Sequence, residues 1–393
     1  MMKSILLLIS CFFVAWQSPG SEPAQATVAV VKTFTLADIS EHSAAFNYRD
    51  RGCAFWKGDG FICVRPLGAP IQAGEIQFCL PLTGNVNRMR IPQPQGFRPK
   101  FPSSGSYFDS EGIWVNKRGD VFLRWMLEGN GDHALALFSD ESKTFVTQRI
   151  KFPLGSNSHS RAIARPDGSW YFLVWRGHIK VYEVDKELNL SLLGSHNGLG
   201  QHTYNVLDAC FISNDVLQFI WAQVDDDFHA RFLTINFNIS TKKWEAERIV
   251  GHFDRFVSSA HPRVVMLADK SLHYFWTINE GQRRTGGEGL YYLGGEKKEP
   301  VRLSDSVRYK VVAQENKVVL CYTLAGEPEK AFFCVIQAGI PGPETAVKLA
   351  KRPPHALWDE DIVLAPAGKD RLWFVNTLDI NTFYELGIGP STK

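Results

Sequence analysis

The sequence lacks a charge excess of either sign. Its 393 residues include 43 Lys and Arg against 41 Asp and Glu, which leaves a formal net charge of +2. Proteins that bind nucleic acid by neutralising phosphates need a basic surplus, so the composition argues against nucleic acid as a partner. Apolar runs are also scarce, because after residues 5–16 no segment is apolar for the roughly 20 residues that a membrane-spanning helix requires. No membrane span is therefore predicted.

Residues 1–26 have the features of a secretion signal. Lys3 precedes the apolar run at residues 5–16, which is too short to span a bilayer. Ala24-Gln25-Ala26 has the small-x-small form that signal peptidase accepts. The sequence therefore predicts an exported protein, either secreted or periplasmic.

Removal of that signal would leave residues 27–393, which we interpret as a single domain and expect to be a monomer. A rival interpretation is a lipoprotein, since Leu-Ile-Ser-Cys at residues 8–11 resembles a bacterial lipobox and would leave Cys11 lipidated. Apolar residues continue after Cys11, whereas a lipobox usually ends the apolar run. Cleavage of a signal peptide is therefore the favoured interpretation.

Cysteines are few, and four of the seven flank predicted turns in pairs. Cys53 and Cys63 stand on either side of residues 57–60, and Cys321 and Cys334 flank residues 324–331. In an antiparallel hairpin, each pair would face across the two strands at a distance that a disulfide can bridge. Export makes a disulfide chemically feasible, and buried free thiols are the alternative for both pairs.

The chain repeats a pattern of two apolar strands around a short polar turn, followed by further strands. Successive turns lie 49, 47, 55, 47 and 52 residues apart. Alternation of apolar and polar residues dominates, and no long stretch has helical periodicity. The turns are Arg118-Gly119, Asp167-Gly168, Asn214-Asp215, Asp269-Lys270, Asn316-Lys317 and Gly368-Lys369.

A repeat of about fifty residues with four strands is typical of a β-propeller blade. Six repeats are visible, and residues 40–100 supply strands for one more, so we predict an all-β, seven-bladed β-propeller with six blades as the alternative. Residues 33–36 and 382–386 are candidates to close the ring within one blade. The proline-rich residues 92–102 have no strand pattern and are interpreted as a long connection.

Two repeats carry the same basic pair just before the innermost strand, where side chains of several blades converge. His159 and Arg161 lie eight and six residues before Asp167, as His261 and Arg263 do before Asp269. Residues two apart in a strand share a face. The equivalent positions of other repeats are also polar: Tyr107, Asp109, Tyr204, Asn205, Asp208, Arg308, Lys310, Asp359 and Asp361.

These cations suit an acidic carbohydrate, because Arg binds carboxylates and sulfates through two parallel hydrogen bonds. The candidate substrate-binding residues are Arg161, His261, Arg263 and Arg308. The alternative is a structural role, in which the polar groups tie neighbouring blades together. The carboxylates of Asp208, Asp359 and Asp361 would then neutralise the arginines.

Several of these residues resemble a known family, the BNR-repeat (sialidase-like) propellers related to ulvan lyases. The resemblance rests on His159 before an inner strand, the Asp167-Gly168 turn, Gly177-His178 about twenty residues after His159, and Thr203-Tyr204 at the start of the next repeat. Residues 140–145 resemble a degenerate Asp-box turn of the wider sialidase-like group. The motifs lie mainly within residues 138–280.

The resemblance implies a polysaccharide lyase that eliminates at a uronate. His159 and Tyr204 would be the acid/base residues at the C5 proton, and His178 would neutralise the carboxylate. The family usually places an Arg near the end of the strand after the Tyr, whereas residues 219–223 here read Phe-Ile-Trp-Ala-Gln. A non-catalytic propeller that binds a glycan or a protein is therefore the alternative.

Two motifs resemble metal sites, but the sequence favours neither, so no cofactor is predicted. Residues 225–227 are three consecutive Asp, which suit calcium, yet the alternating ligand pattern of a calcium loop is absent. His196 and His202 suit zinc, yet no Cys or carboxylate lies at ligand spacing beside them. A solvated turn and a loop are the favoured interpretations.

Overall fold

The structure is a computed structural model, and it describes most of the chain from residue 25 to residue 390. The described residues form strands and turns but no helix, and therefore no helix long and apolar enough to cross a membrane. The described residues are 25–35, 53–56, 60–67, 73–80, 85–92, 99–100, 112–127, 132–151, 159–199, 203–254, 257–281, 286–294, 299–354, 357, 362–376 and 382–390.

The strands run in chain order from β1 to β32. Their short lengths and dense turns follow from apolar runs of four to ten residues, rich in Val, Ile, Phe, Tyr and Trp, that polar turns interrupt. The bounds are β1 (Ala26–Thr35), β2 (Cys53–Trp56), β3 (Gly60–Leu67), β4 (Ala73–Leu80), β5 (Asn85–Ile91), β6 (Pro99–Lys100), β7 (Gly112–Val115), β8 (Val121–Leu127), β9 (His133–Ser139), β10 (Thr144–Ile150), β11 (His159–Ala164), β12 (Trp170–Trp175), β13 (Ile179–Val184), β14 (Leu190–His196), β15 (Thr203–Phe211), β16 (Val216–Val224), β17 (Ala230–Asn238), β18 (Lys243–Trp244), β19 (Arg248–Phe253), β20 (Ser259–Ala260), β21 (Arg263–Met266), β22 (Leu272–Asn279), β23 (Gly289–Gly294), β24 (Val301–Ser304), β25 (Tyr309–Gln314), β26 (Lys317–Tyr322), β27 (Lys330–Gln337), β28 (Ile340–Pro341), β29 (Thr345–Lys348), β30 (Ile362–Pro366), β31 (Arg371–Asn376) and β32 (Thr382–Pro390).

Within the described residues these strands form seven antiparallel sheets of four or five strands, the number that the seven-repeat interpretation requires. The predicted all-β propeller is confirmed. We number the sheets along the chain: sheet 1 (β2–β5), sheet 2 (β6–β10), sheet 3 (β11–β14), sheet 4 (β15–β19), sheet 5 (β20–β24), sheet 6 (β25–β29) and sheet 7 (β30, β31, β32 and β1).

Sheet 7 joins the two ends of the described chain. Strand β1 pairs antiparallel with β32, with Thr33 opposite Tyr384 and Thr35 opposite Thr382. This is the pairing expected for residues 33–36 and 382–386. Because β1 is the outermost strand of sheet 7, ring closure depends on Ala26, the last residue of the predicted signal, and on the nine residues of β1 after it.

The first strand position of each sheet is the innermost; in sheet 2 it is shared by β6 and β7, which both pair with β8, and in sheet 5 by β20 and β21, which both pair with β22. First strands of neighbouring sheets contact one another at β30 and β2, β2 and β7, β7 and β11, β15 and β21, β21 and β25, and β25 and β30. An ion pair between Arg161 of β11 and Asp208 of β15 joins sheets 3 and 4. Apolar clusters then fill the spaces between sheets, for example Leu173 with Phe219 and Trp221 between sheets 3 and 4.

The ends of the strands, with the turns that join them, form the two faces of the propeller disc. The turn face consists of the turns between first and second strands, at residues 116–120, 165–169, 212–215, 267–271, 315–316 and 367–370. The opening face consists of the starts of the first strands and the turns from second to third strands, among them residues 176–178 and 225–229. Positive φ angles at Gly119, Gly168, Lys270 and Gly368 accord with the predicted turns.

Two details of the expected strand pattern are wrong. Residues 92–102 contain the short strand β6, whose Pro99 lies opposite Leu127 of β8. The first strand of sheet 5 is split into β20 and β21 around His261-Pro262, since proline has no N–H to continue the ladder.

The cysteine pairs differ in register. Cys334 lies opposite Leu320, and Cys321 lies opposite Phe333, so the two thiols are one residue out of register. Side chains one residue apart point to opposite faces of a sheet. Both are buried free thiols in different clusters, and a disulfide between them is excluded. Cys53 lies directly opposite Cys63. The structure does not describe the side chains of these two residues, and the disulfide between them therefore stays a prediction.

Candidate functional site

His159 begins β11 on the opening face, opposite Trp175, the last residue of β12. The imidazole is half-buried and stacks on the Trp175 indole, with ring centroids 5.8 Å apart and an interplanar angle of 19°. The indole itself is buried. The stacking therefore orients the His159 ring at the start of the innermost strand.

His178 lies at the same end of sheet 3. It directly precedes Ile179, which is paired with Trp175 across β12 and β13. The His178 side chain is exposed, and the His178 backbone carbonyl accepts the Arg176 N–H at 3.1 Å, which closes the turn. Strand register thus brings His159 and His178 to one edge of the opening face.

Tyr204 lies near the start of β15, also at the opening face, in the neighbouring sheet 4. Thr203 is opposite Gln223, and the register shifts before Leu207 pairs with Trp221, so Tyr204 lies within an irregular stretch of the ladder. Its side chain is outside the described atoms. Its proposed acid/base role therefore stays a prediction.

Asp208 connects three sheets. Its Oδ1 forms an ion pair with Arg161 of sheet 3, and its Oδ2 accepts the Val264 N–H of sheet 5 at 2.9 Å. The carboxylate is buried, whereas the Arg161 side chain is 38% exposed. Asp208 therefore neutralises the charge of Arg161, as the structural alternative for this arginine expects.

Arg161, Asp208 and Arg263 occupy equivalent register positions in sheets 3, 4 and 5. Each lies three residues before the end of its strand, opposite Leu173, Ile220 and Phe275 respectively. The predicted equivalence of the two arginines is therefore found in the ladder. Asp208, one of the three carboxylates that the structural alternative assigned to neutralise the arginines, lies at the matching position of the sheet between them.

The second basic pair differs from the first. His261 lies in the gap between β20 and β21, and its carbonyl accepts the Tyr309 hydroxyl of sheet 6 at 2.8 Å. Arg263 is half-buried and donates to the Pro262 carbonyl at 3.0 Å. His159 belongs to a regularly paired strand, whereas His261 lies outside the paired strands and its backbone carbonyl binds the neighbouring sheet.

The remaining candidates lie near sheet 6 or outside the described residues. Arg308 and Lys310 are half-buried at the start of β25, where Ser306 Oγ accepts the Arg308 N–H at 3.1 Å and donates to its carbonyl at 2.7 Å. The structure does not describe Tyr107, Asp109, His202, Asp359 or Asp361, and it describes no side chain for Asn205.

The three consecutive aspartates form a turn between β16 and β17. Asp225 Oδ1 accepts the N–H groups of Asp227 at 3.1 Å and His229 at 2.8 Å. The His229 N–H lowers the pKa of the Asp225 carboxyl below its usual value. Among described residues, no three or more His, Cys, Asp or Glu side chains are grouped to hold a metal ion.

A buried polar group between sheets 2 and 3 was not foreseen from the sequence. Arg124 of β8 is 2% exposed and donates to Ser160 Oγ of β11 at 2.6 Å. His133 at the start of β9 is equally buried, and that burial lowers the pKa of its imidazole to about 3, with Arg124 adding to the effect and Asp132 opposing it. Neither residue belongs to a repeated motif, which is why pattern reasoning missed them.

The fold and this arrangement define a β-propeller with basic and aromatic groups on its opening face. No protein-family model matches the sequence, and no curated protein sequence matches it. Solved structures do resemble it in fold. The WD40 domain of Toxoplasma gondii coronin aligns at 9% identity with a TM-score of 0.54 and covers 94% of this chain and 88% of that one.

The polysaccharide lyase Uly1 is similar to the same degree. It aligns at 10% identity with a TM-score of 0.54, over 92% of this chain and 100% of its own. At such identities the likeness shows the propeller fold. The BNR-repeat resemblance remains a prediction from residues 138–280.

Proposed function

We propose that the protein is an exported propeller that acts on an acidic glycan bound at its opening face, as a polysaccharide lyase. The observation that carries the proposal is the register of sheet 3, in which His159 and His178 share one end of a sheet that neighbours sheet 4, the sheet of Tyr204. The motif resemblance to ulvan-lyase-like propellers supports the reaction class. The fold likeness to the polysaccharide lyase Uly1 is compatible with it.

The chemistry assigns a role to each group. A base, His159 or Tyr204, removes the C5 proton of a uronate, and the electron pair left on C5 forms the C4–C5 double bond as the C4–O4 bond breaks. The other residue of the pair donates a proton to the departing O4. His178 neutralises the charge that develops on the uronate carboxylate. The products are an unsaturated uronate end and a chain with a free hydroxyl.

The test is the ultraviolet absorbance of the unsaturated product during incubation with alginate, polygalacturonate, ulvan and chondroitin sulfate. At least one of these polymers should give a rising signal. His159→Ala should slow that rise by roughly 100-fold or more, the usual contribution of a general acid or base. His252→Ala is the matched control, since His252 is an exposed histidine on the outer strand β19. No rise with any polymer would contradict the lyase assignment.

A second candidate function is a non-catalytic glycan-binding propeller. It is favoured by the ion pair of Arg161 with Asp208, which removes one candidate cation from substrate, and by Gln223 near the place where the lyase family has an Arg. Retention of the protein in a native gel containing the same polymers, without product absorbance, would favour this alternative. Arg263→Ala should then weaken retention, and salt should weaken it further.

A further inference from the structure

The turn at residues 176–178 carries two basic side chains on the opening face. Arg176 and His178 are both exposed, and Gly177 lies between them at the tip of the turn. The φ of Gly177 is 68°, in the left-handed region that favours glycine. A Cβ atom at Gly177 would meet no other atom within 4 Å, so the tip borders open space. A ligand can therefore approach this turn without displacing protein.

The strands on either side fix the backbone of this turn. Trp175 and Ile179 are both buried, and they lie opposite each other in β12 and β13. The same register, continued by one residue, places Arg176 opposite His178, and the Arg176 N–H donates to the His178 carbonyl at 3.1 Å. Residues opposite each other in an antiparallel pair share a face, with Cβ atoms about 5 Å apart. The turn therefore holds the two basic side chains next to each other.

The charge of Arg176 is not neutralised within the protein. Among the residues that the structure describes, its guanidinium has no ion pair and no hydrogen-bond partner. On the same sheet, by contrast, Arg161 is paired with Asp208 of sheet 4. An arginine keeps its positive charge at all physiological pH values. Arg176 is therefore a permanent, accessible cation beside His178.

Equivalent turns of other sheets carry the opposite charge. The structure describes every residue of the turn from second to third strand in sheets 3, 4 and 6. Residues 225–227 of the sheet 4 turn are three aspartates, and the sheet 6 turn contains Glu327 and Glu329. The sheet 3 turn has two basic side chains and no carboxylate. A polyanion is therefore attracted to sheet 3 and repelled by the other two turns.

We propose that Arg176 is a further substrate-binding residue, whose guanidinium binds the acidic group of the sugar next to the uronate that His178 contacts. The inference rests on the proposed function and names its substrate class, a glycan with an acidic group on consecutive sugars. A guanidinium binds a carboxylate or a sulfate through two parallel hydrogen bonds.

The geometry of the turn suits two neighbouring acidic groups. The separation of about 5 Å between opposite Cβ atoms is close to the length of one pyranose unit along a chain. One side chain can therefore contact the reacting uronate while the other contacts the sugar beside it. Because paired strands already fix the backbone of the turn, little conformational freedom is lost on binding, which favours affinity.

The experiment is affinity electrophoresis in native gels with two matched pairs of polymers. Chondroitin sulfate and unsulfated chondroitin differ in the sulfate of every second sugar. Polygalacturonate and its methyl-esterified form differ in the carboxylates of consecutive sugars. The parent protein should be retained more strongly by the more acidic member of at least one pair, and the pair that shows the preference identifies the second acidic group as sulfate or carboxylate.

Three variants test whether Arg176 is responsible. Arg176→Gln should raise the dissociation constant for the preferred polymer about tenfold and remove the preference within the pair. Its melting temperature should be unchanged, because the guanidinium is exposed. Arg176→Lys keeps the charge without the two parallel N–H groups and should lose most of the preference. Arg248→Gln is the matched control, since it removes an exposed arginine from the outer strand β19, and it should leave retention unchanged.

The outcomes distinguish this inference from the proposed function. If the parent protein is retained and Arg176→Gln keeps the same preference, Arg176 does not bind the second acidic group, while glycan binding stands. If the parent protein shows no preference within either pair, or if Arg248→Gln weakens retention as much as Arg176→Gln, the inference is wrong. Full retention of Arg176→Lys would contradict the two-bond contact. If no acidic polymer retains the parent protein, the proposed function fails and the inference fails with it.

Discussion

On the turn face, neighbouring turns bind one another directly. Asn116 donates to the Gly168 carbonyl at 3.1 Å, Arg165 to Asp215 at 2.7 Å, and Asn316 accepts the Asp269 N–H at 3.1 Å. On the opening face, by contrast, His159 stacks half-buried on an indole, His178 is exposed, and Phe228 is exposed on a strained backbone. Polar side chains of the turn face therefore bind neighbouring sheets, whereas on the opening face the inter-sheet bonds given above are accepted by backbone carbonyls and basic and aromatic side chains reach the surface.

The difference has a physical origin in the chain connections. Turns between first and second strands are short and recur at nearly equal intervals, so each one meets the next in the same geometry. The opening face receives the variable connections between sheets, where sequence is less constrained by the ladder. Function is therefore expected there, and the predictions below test how far the two faces can be perturbed separately.

The largest effect is expected for Asp208→Ala, which removes the carboxylate that serves three sheets. Arg161 would lose its partner and the buried Val264 N–H would lose its acceptor, at a cost of about 2–4 kcal/mol in the free energy of unfolding. Urea denaturation measures this cost. Asp215→Ala on the turn face is the control, because its side chain is 43% exposed and its pair with Arg165 is worth less than about 1 kcal/mol. Equal costs for both variants would mean that the buried carboxylate between the sheets contributes no more than an exposed carboxylate on the turn face.

How much of the fold and of the candidate site the sequence predicts depends on how far apart in the chain the interacting residues are. Strand positions, the turns and the pairing of β1 with β32 follow from local alternation and from repeat spacing, both visible in one sequence. The offset of Cys321 from Cys334 did not follow, since a single residue of register decides which face a side chain occupies. Pattern reasoning located that hairpin without fixing its register.

Contacts between sheets were the least predictable part of the site. Asp208 is 47 residues from Arg161 and 56 from Val264, and the sequence offered Asp359 and Asp361 as equal candidates to neutralise the arginines.

A medium-sized effect is expected from acid, and it concerns the buried His133 near the opening face. Burial and the Arg124 charge lower the pKa of the folded imidazole to about 3, while Asp132 partly opposes them. The unfolded chain takes up this proton below about pH 6.5, so the folded state binds fewer protons and loses stability as pH falls. Between about pH 7 and about pH 4.5 the loss is about 2 kcal/mol for this group.

His133→Leu should remove that part of the acid sensitivity. Chemical denaturation of both proteins at neutral and acid pH gives the difference, which should shrink by about 2 kcal/mol in the variant. His252→Leu, on the exposed outer strand β19, should leave the difference in place. An unchanged acid sensitivity in His133→Leu would mean that the folded protein accommodates the charged imidazole.

The smallest effect is expected on the turn face, for Lys317→Met. The Lys317 ammonium lies 2.5 Å from an Asp370 oxygen and thereby lowers the pKa of that carboxyl, yet the two side chains are 22% and 39% exposed. Solvent screens such a pair, so its loss should cost less than about 1 kcal/mol, and added salt should reduce the cost further. Retention on acidic polymers should be unchanged, although the variant loses a positive charge, because that charge is on the opposite face from the proposed site. A loss of retention in Lys317→Met equal to that in Arg263→Ala would instead mean that overall charge, and not the opening face, attracts the glycan.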